Sequence, residues 1–212
     1  MAISVRGTDF VYFPGPKLAA TSMKLALLRH NRPFVYLYRI LQSQSADEMA
    51  HHGTYWTMPF EMVPESLKSG RAFCIVRDPI DRFVSAYRNR ILYWRDVEQA
   101  PDLAGIPVAP PINEFVERIT EYFSNRHIRH HFAPMTEFYG HNADFFDRLF
   151  HIEEINRIPA YLGLKLKIPT EQTGGPRMSR ADLSSNSIRI LTDLYDADYS
   201  TFGRFFECPR RA

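Results

Sequence analysis

Cysteine is almost absent from this sequence: Cys74 and Cys208 are the only two among 212 residues. Two thiols cannot build the disulfide framework of a small secreted domain, and their spacing is not that of a metal site. Cys74, inside an apolar run, reads as a core thiol of a reduced, cytoplasmic protein, with a bridge to Cys208 as the alternative. Long apolar runs are missing too. None approaches the ~18 residues that a membrane span requires, and the opening MAISVRGTDF has no apolar stretch long enough for a signal peptide. A soluble chain with no transmembrane segment is expected. Charge of one sign is equally scarce, with 26 Lys plus Arg against 24 Asp plus Glu, a formal net charge of +2. So small a surplus gives no global field for nucleic acid or a membrane, and any anion site must be local.

What remains is ordinary globular material. With 45% hydrophobic and 24% charged residues over 212 positions, the chain suits one domain, 1–212, with a sizeable core. Residues 8–13 (TDFVYF) are aromatic and β-branched and stop at Pro14-Gly15-Pro16, the pattern of a buried strand ending in a turn. This reads as a first, central strand. Residues 21–30 (TSMKLALLRH) follow as a helix, with Met23, Ala26, Leu27 and His30 near one face. Residues 71–77 (RAFCIVR) repeat the strand signal, and Asp78-Pro79 breaks it before a helix carrying Ile80, Val84, Tyr87 and Ile91 on one face.

Between these two units, 33–44 has no clear assignment, and 61–69 reads as a short helix. Four prolines and a glycine in 101–111 exclude regular structure there and predict an exposed loop. A helix is predicted over 112–124, a strand over 148–152, a helix over 154–162, a Gly-Gly-Pro loop at 174–176 and a last helix over 184–197. Alternating short strands and helices favour a parallel sheet covered on both faces.

The turn Pro14-Gly15-Pro16-Lys17-Leu18-Ala19-Ala20-Thr21-Ser22 joins a buried strand to a helix start, where backbone N–H groups and the dipole favour a phosphate or sulfate. Ala19 and Ala20 are small enough to let the backbone approach it. Thr21 or Ser22 can cap the helix or donate a hydroxyl, and Lys17 supplies a mobile cation. A Walker A loop would need glycine just before its lysine and Ser/Thr just after; here Lys17 precedes Thr21 by four residues, which argues against an ordinary nucleotide triphosphatase. In the second segment, RDPIDRFVSAY (77–87), Arg77 falls at the end of a predicted parallel strand, where open α/β sheets bind ligands, and Ser85 lies off the apolar stripe of the following helix.

These two segments together resemble the sulfotransferase superfamily that uses 3′-phosphoadenosine 5′-phosphosulfate, and within it the carbohydrate sulfotransferase branch. Residues 16–22 are similar to its 5′-phosphosulfate loop and 77–87 to its 3′-phosphate segment. His131-Phe132-Ala133-Pro134-Met135 is similar to a downstream element of that branch, 149–162 to its next strand and acidic helix, and 174–187 to a late loop whose basic residue reaches the nucleotide, here Arg177 or Arg180.

The resemblance implies a P-loop-like, doubly wound three-layer α/β sandwich with a central parallel sheet. It also implies a donor held by Lys17, Leu18, Ala19, Ala20, Thr21, Ser22, Arg77 and Ser85, with 3′,5′-adenosine bisphosphate as product and a carbohydrate or glycolipid hydroxyl as acceptor. His51 and His52 lie between the two motifs, where this branch often places a base, and histidine titrates near neutral pH. Glu61 is the alternative base if a neighbouring lysine keeps it ionised. Lys17 is expected to neutralise the departing phosphate oxygen, and His131 to belong to an acceptor-binding loop. His127, His130 and His131 share one helical face, but the Pro134 break and the lack of an acidic or cysteine ligand argue for no metal. The aromatic residues Phe138, Tyr139, Phe145 and Phe146 read as core. Two other readings stand beside this one: a nucleotide-dependent kinase of similar topology, and a non-catalytic module that binds anionic nucleotides or glycans.

Overall fold

The computed structural model describes residues 2–51, 55, 57–171 and 174–206. It divides into two compact units, the first formed by Met1–Val76 with Thr136–Gln172 and the second by Arg77–Met135 with Thr173–Ala212.

The first unit holds a four-stranded sheet in the order β1 (Ile3–Ser4), β2 (Phe10–Phe13), β3 (Arg71–Val76), β4 (Arg148–His151). β1 runs antiparallel to β2, whereas β2, β3 and β4 are parallel, with Phe13 opposite Cys74 and Phe73 opposite Arg148. The result is a mixed α/β architecture around a mostly parallel open sheet. Residues 10–13 are interior, as their unbroken burial demands, but they form the second strand. β1 precedes them and is only two residues long, too short to leave a period in the sequence. Strand order follows the chain, so the described strands show no reversal of winding.

Helix α1 (Ala20–Asn31) is buried on every side from Ala20 to Leu28, including Lys24, so it is a core helix and not the one-faced helix expected. α2 (Pro33–Leu41) forms within 33–44, the stretch that has no clear assignment from its residues alone, and α3 (Ala46–His51) follows. Phe13 packs edge to face on Phe145 and Phe146, at 5.4 Å between centroids in each pair, and Phe60 packs edge to face on Phe145. Each such burial contributes roughly 1.5–3 kcal/mol before chain entropy is set against it. Cys74 is a free, buried thiol in β3, and Cys208 lies outside the described residues.

The second unit is helical. α4 (Pro79–Ala86) runs into a π-helical stretch, Tyr87–Tyr93, and Ile80, Val84, Tyr87 and Ile91 are all buried, as their spacing predicts. The segment predicted as one helix over 112–124 is two, α5 (Ile112–Glu117) and a single turn at Ile119–Tyr122, broken at Arg118 (φ −104°, ψ 19°). α6 (Arg126–Phe132), α7 (Ser185–Leu194) and α8 (Asp196–Phe202) complete the unit. Its centre is a ring cluster in which Phe115 meets Phe132 at 5.2 Å and Tyr122 at 4.4 Å. The proline-rich stretch 101–111 is less exposed than expected. Leu103 is buried in the core, and Tyr122 and Tyr87 donate hydrogen bonds to the carbonyls of Pro107 and Pro110.

Candidate active site

In the first unit, β2 delivers the chain into the turn at 14–19, and the backbone there is strained. Lys17 (φ 63°) and Ala19 (φ 54°) both adopt the left-handed conformation without being glycine. Ala19 is the N-cap of α1 and has no side-chain acceptor to offer the first-turn N–H groups. Thr21 and Ser22, expected as caps, sit within the first turn of the helix and are buried; Ser22 Oγ instead accepts a hydrogen bond from the Glu171 backbone N–H at 3.3 Å. Leu18 and Ala20 are buried, while Lys17 is half-buried at the turn's surface. Gly15 is required by close packing: a Cβ there would lie 2.7 Å from the Tyr139 hydroxyl, which itself donates to the Ile75 carbonyl at 2.9 Å.

The second unit begins at Arg77, the residue after β3, half-buried. Here the helix start is already closed by protein. Asp78 is the N-cap of α4, and its carboxylate accepts from the N–H groups of Ile80 (2.9 Å) and Asp81 (3.2 Å). Any anion at this segment must therefore be met by side chains such as Arg77, or Ser85 on the half-exposed face of α4. Arg82, one turn before Ser85, is fully buried; its guanidinium donates to the Ala133 carbonyl at 2.6 Å and lies over the Tyr195 ring at 5.3 Å. That contact fixes the His131–Met135 segment to α4.

The late loop is anchored to the same helix. Arg180 donates to both oxygens of Asp81 at 3.0 Å and pairs with Asp78 at 2.7 Å, and these carboxylates raise its pKa. Arg177 is exposed. Gly174 lies against the Tyr93 ring, and Gly175 (φ 102°) brings the loop so close to the Arg88 carbonyl oxygen that a Cβ would sit 2.3 Å away. The π-helical stretch thus carries this loop; such stretches occur frequently at functional sites.

Of the candidate bases, His51 ends α3 and only its backbone is described, while His52 lies outside the described residues. Glu61 is exposed in a short turn, Phe60–Met62, and the lysine of that segment, Lys68, pairs with Glu65 at 2.8 Å. Lys24 belongs to no motif of the sequence. It is wholly inaccessible, donates to Thr57 Oγ1 at 2.8 Å, and burial pushes its pKa down to about 7, against an opposing pull from Asp47. Its only signal in the sequence is a charge at a helix position whose neighbours are all core.

His127 and His131 do meet an acidic partner from outside their helix. Asp96, His127 and His131 each bring one ligand-type atom within 4.8 Å of the others. Arg90 already occupies this cluster, gripping Asp96 at 2.7 and 3.0 Å and contacting His127 Nε2 at 2.7 Å. A guanidinium is the cation seated there.

A sequence model described as a sulfotransferase family matches residues 7–205, nearly the whole chain and both units. No curated protein matches. No solved structure matches either.

Proposed function

Because the chain belongs to the sulfotransferase family, we propose that it moves the sulfuryl group of 3′-phosphoadenosine 5′-phosphosulfate to a hydroxyl of a sugar or glycolipid, working as one P-loop-like domain. The observation that carries this reading is the backbone of the turn before α1. Left-handed geometry at Lys17 and Ala19 costs of order 1–3 kcal/mol each, and it leads into a helix start that no N-cap side chain closes. A bound oxyanion gives that geometry a use.

In this reading Leu18, Ala19, Ala20, Thr21 and Ser22 cradle the 5′-phosphosulfate, and Arg77 and Ser85 take the 3′-phosphate. Arg177 is the better placed of the two late-loop arginines for the nucleotide, since Arg180 is committed to Asp78 and Asp81. The acceptor oxygen attacks sulfur in line, the bond from sulfur to the 5′-phosphate oxygen breaks, and Lys17 offsets the charge that oxygen gains. The acceptor proton passes to a base, for which His51, His52 and Glu61 are the candidates, and 3′,5′-adenosine bisphosphate departs. His131 belongs to the acceptor side. The transferred group carries less charge than a phosphoryl group, so the scheme asks for no metal.

Thermal melts with two ligands test it. 3′,5′-Adenosine bisphosphate is expected to raise the Tm more than ATP with magnesium does, and Arg77→Ala to weaken its binding by about 2 kcal/mol or more, through loss of a charge-assisted phosphate contact. Protection by ATP with magnesium alone would point to the kinase reading. Labelled donor that reaches no member of a panel of sugars, glycolipids and phenols would favour a binding module instead.

A further inference from the structure

Helix α2 is built inside out. In a surface helix the apolar stripe faces the core and the polar face meets water. Here the inward positions are Pro33, Tyr36 and Arg39, all half-buried, and Arg39 uses its guanidinium to hold the Met49 carbonyl at 2.9 Å. The outward stripe, at helical spacing, is Phe34, Leu37, Tyr38 and Leu41, with 85%, 55%, 62% and 81% of their surface accessible. Val35 and Ile40 extend it. Apolar patches of this kind mark interaction sites.

The charge that precedes the helix and lies along it has one sign, and the exposed carboxylates Asp47 and Glu48 follow only on α3. No Asp or Glu occurs from residue 10 to residue 46, a stretch that carries Lys17, Lys24, Arg29, Arg32 and Arg39. Arg29 and Arg32 are exposed just before the helix, and Arg29 lines a hollow with Tyr36, Lys167 and Pro169 in which no carboxylate takes part. An apolar ridge ending in a tyrosine-bearing face, beside the exposed cations Arg29 and Arg32 at the start of the helix, has the composition of a helix that lies in a lipid headgroup layer.

We infer that α2 is a docking element for an anionic bilayer surface, its Phe34, Leu37, Tyr38 and Leu41 side chains entering the interface while Arg29, Arg32 and Lys167 face the headgroups. A second copy of the chain is the weaker occupant. A nine-residue helix is only about 14 Å long, and its stripe falls short of the ~800 Å² per partner of a standard stable interface. An anionic membrane satisfies the apolar face and the charge at once. The inference stands on the first unit alone and does not depend on which group the protein transfers.

Cosedimentation of the full chain with lipid vesicles tests it. Binding is expected to vesicles containing about three-tenths phosphatidylserine, to fall on pure phosphatidylcholine, and to weaken as salt is raised. F34E/L41E is expected to lose about ten-fold or more of this binding, and R29E/R32E to lose the preference for phosphatidylserine. Both variants alter exposed side chains, and unchanged Tm values establish that they fold. Equal binding by wild type and F34E/L41E, or no wild-type binding to the anionic vesicles, overturns the proposal. So does light scattering that finds a dimer broken by F34E/L41E in a protein that ignores vesicles.

Discussion

Arg180 lies in a fork against Asp81, both hydrogen bonds measuring 3.0 Å across 99 residues of sequence. The same guanidinium reaches Asp78, so one arginine ties the late loop to the N-cap of α4 and to its first turn. Planar two-point contact is what distinguishes arginine from lysine at such a position.

Arg180→Ala is therefore expected to lower stability by about 1–2 kcal/mol, a value discounted because the pair is partly exposed. The KM for the donor should rise, since the loop bearing Arg177 loses its anchor. Arg180→Lys should restore less than half of either loss. Denaturant melts and donor titrations read the two effects separately, and full rescue by lysine would refute the fork.

The strand-to-turn-to-helix units were legible in the sequence because apolar runs and breakers act locally: TDFVYF before Pro14, and RAFCIV before Asp78-Pro79. What was hidden depends on contacts distant in the chain or on backbone that side chains do not announce. Helix α2 escaped notice because its apolar residues face outward, so its pattern is no guide to a core. The strain at Lys17 and Ala19 was invisible because neither is the glycine that usually marks such geometry. Asp96 joined His127 and His131 only through the fold. The two-motif resemblance, in contrast, needed only chain order, and the family match over 7–205 agrees with it.

Lys24 makes a pH prediction whose sign is fixed by its burial. Its pKa is about 7 in the folded state against 10.5 ordinarily, so between those values the unfolded chain holds a proton that the folded protein has released. Stability then rises with pH across this window. Lys24→Met removes the slope, on the order of 3 kcal/mol between pH 7 and 10. Denaturation midpoints of wild type and variant should converge toward pH 10 and separate toward pH 7, with the variant the more stable at neutral pH. Parallel curves would mean that the amine stays charged in the folded protein.

The strained turn gives a pair of substitutions that separate stability from turnover. Ala19→Gly should stabilise the protein by about 0.5–1 kcal/mol, because glycine takes the left-handed conformation without penalty. Lys17→Ala should leave stability within about 0.5 kcal/mol and lower kcat by ~100-fold or more, with 3′,5′-adenosine bisphosphate still bound. Loss of binding and turnover in equal measure would place Lys17 on the donor's ground state and not on its leaving group.

Beneath the turn, Gly15 and Tyr139 share one space. A methyl group at position 15 would meet the Tyr139 hydroxyl at 2.7 Å and Leu18 Cδ1 at 2.8 Å, and the hydroxyl cannot swing away without abandoning the Ile75 carbonyl. Gly15→Ala should cost about 2 kcal/mol through overpacking, and Tyr139→Phe about 1–2 kcal/mol through a buried carbonyl left without its donor. In combination the phenylalanine vacates part of the space that the new methyl needs. The double variant should therefore be less destabilised than the sum of the singles, by about 1 kcal/mol in a double-mutant cycle. Strict additivity would show that Leu18 alone limits position 15, and that the tyrosine hydroxyl does not set the height of the turn above the sheet.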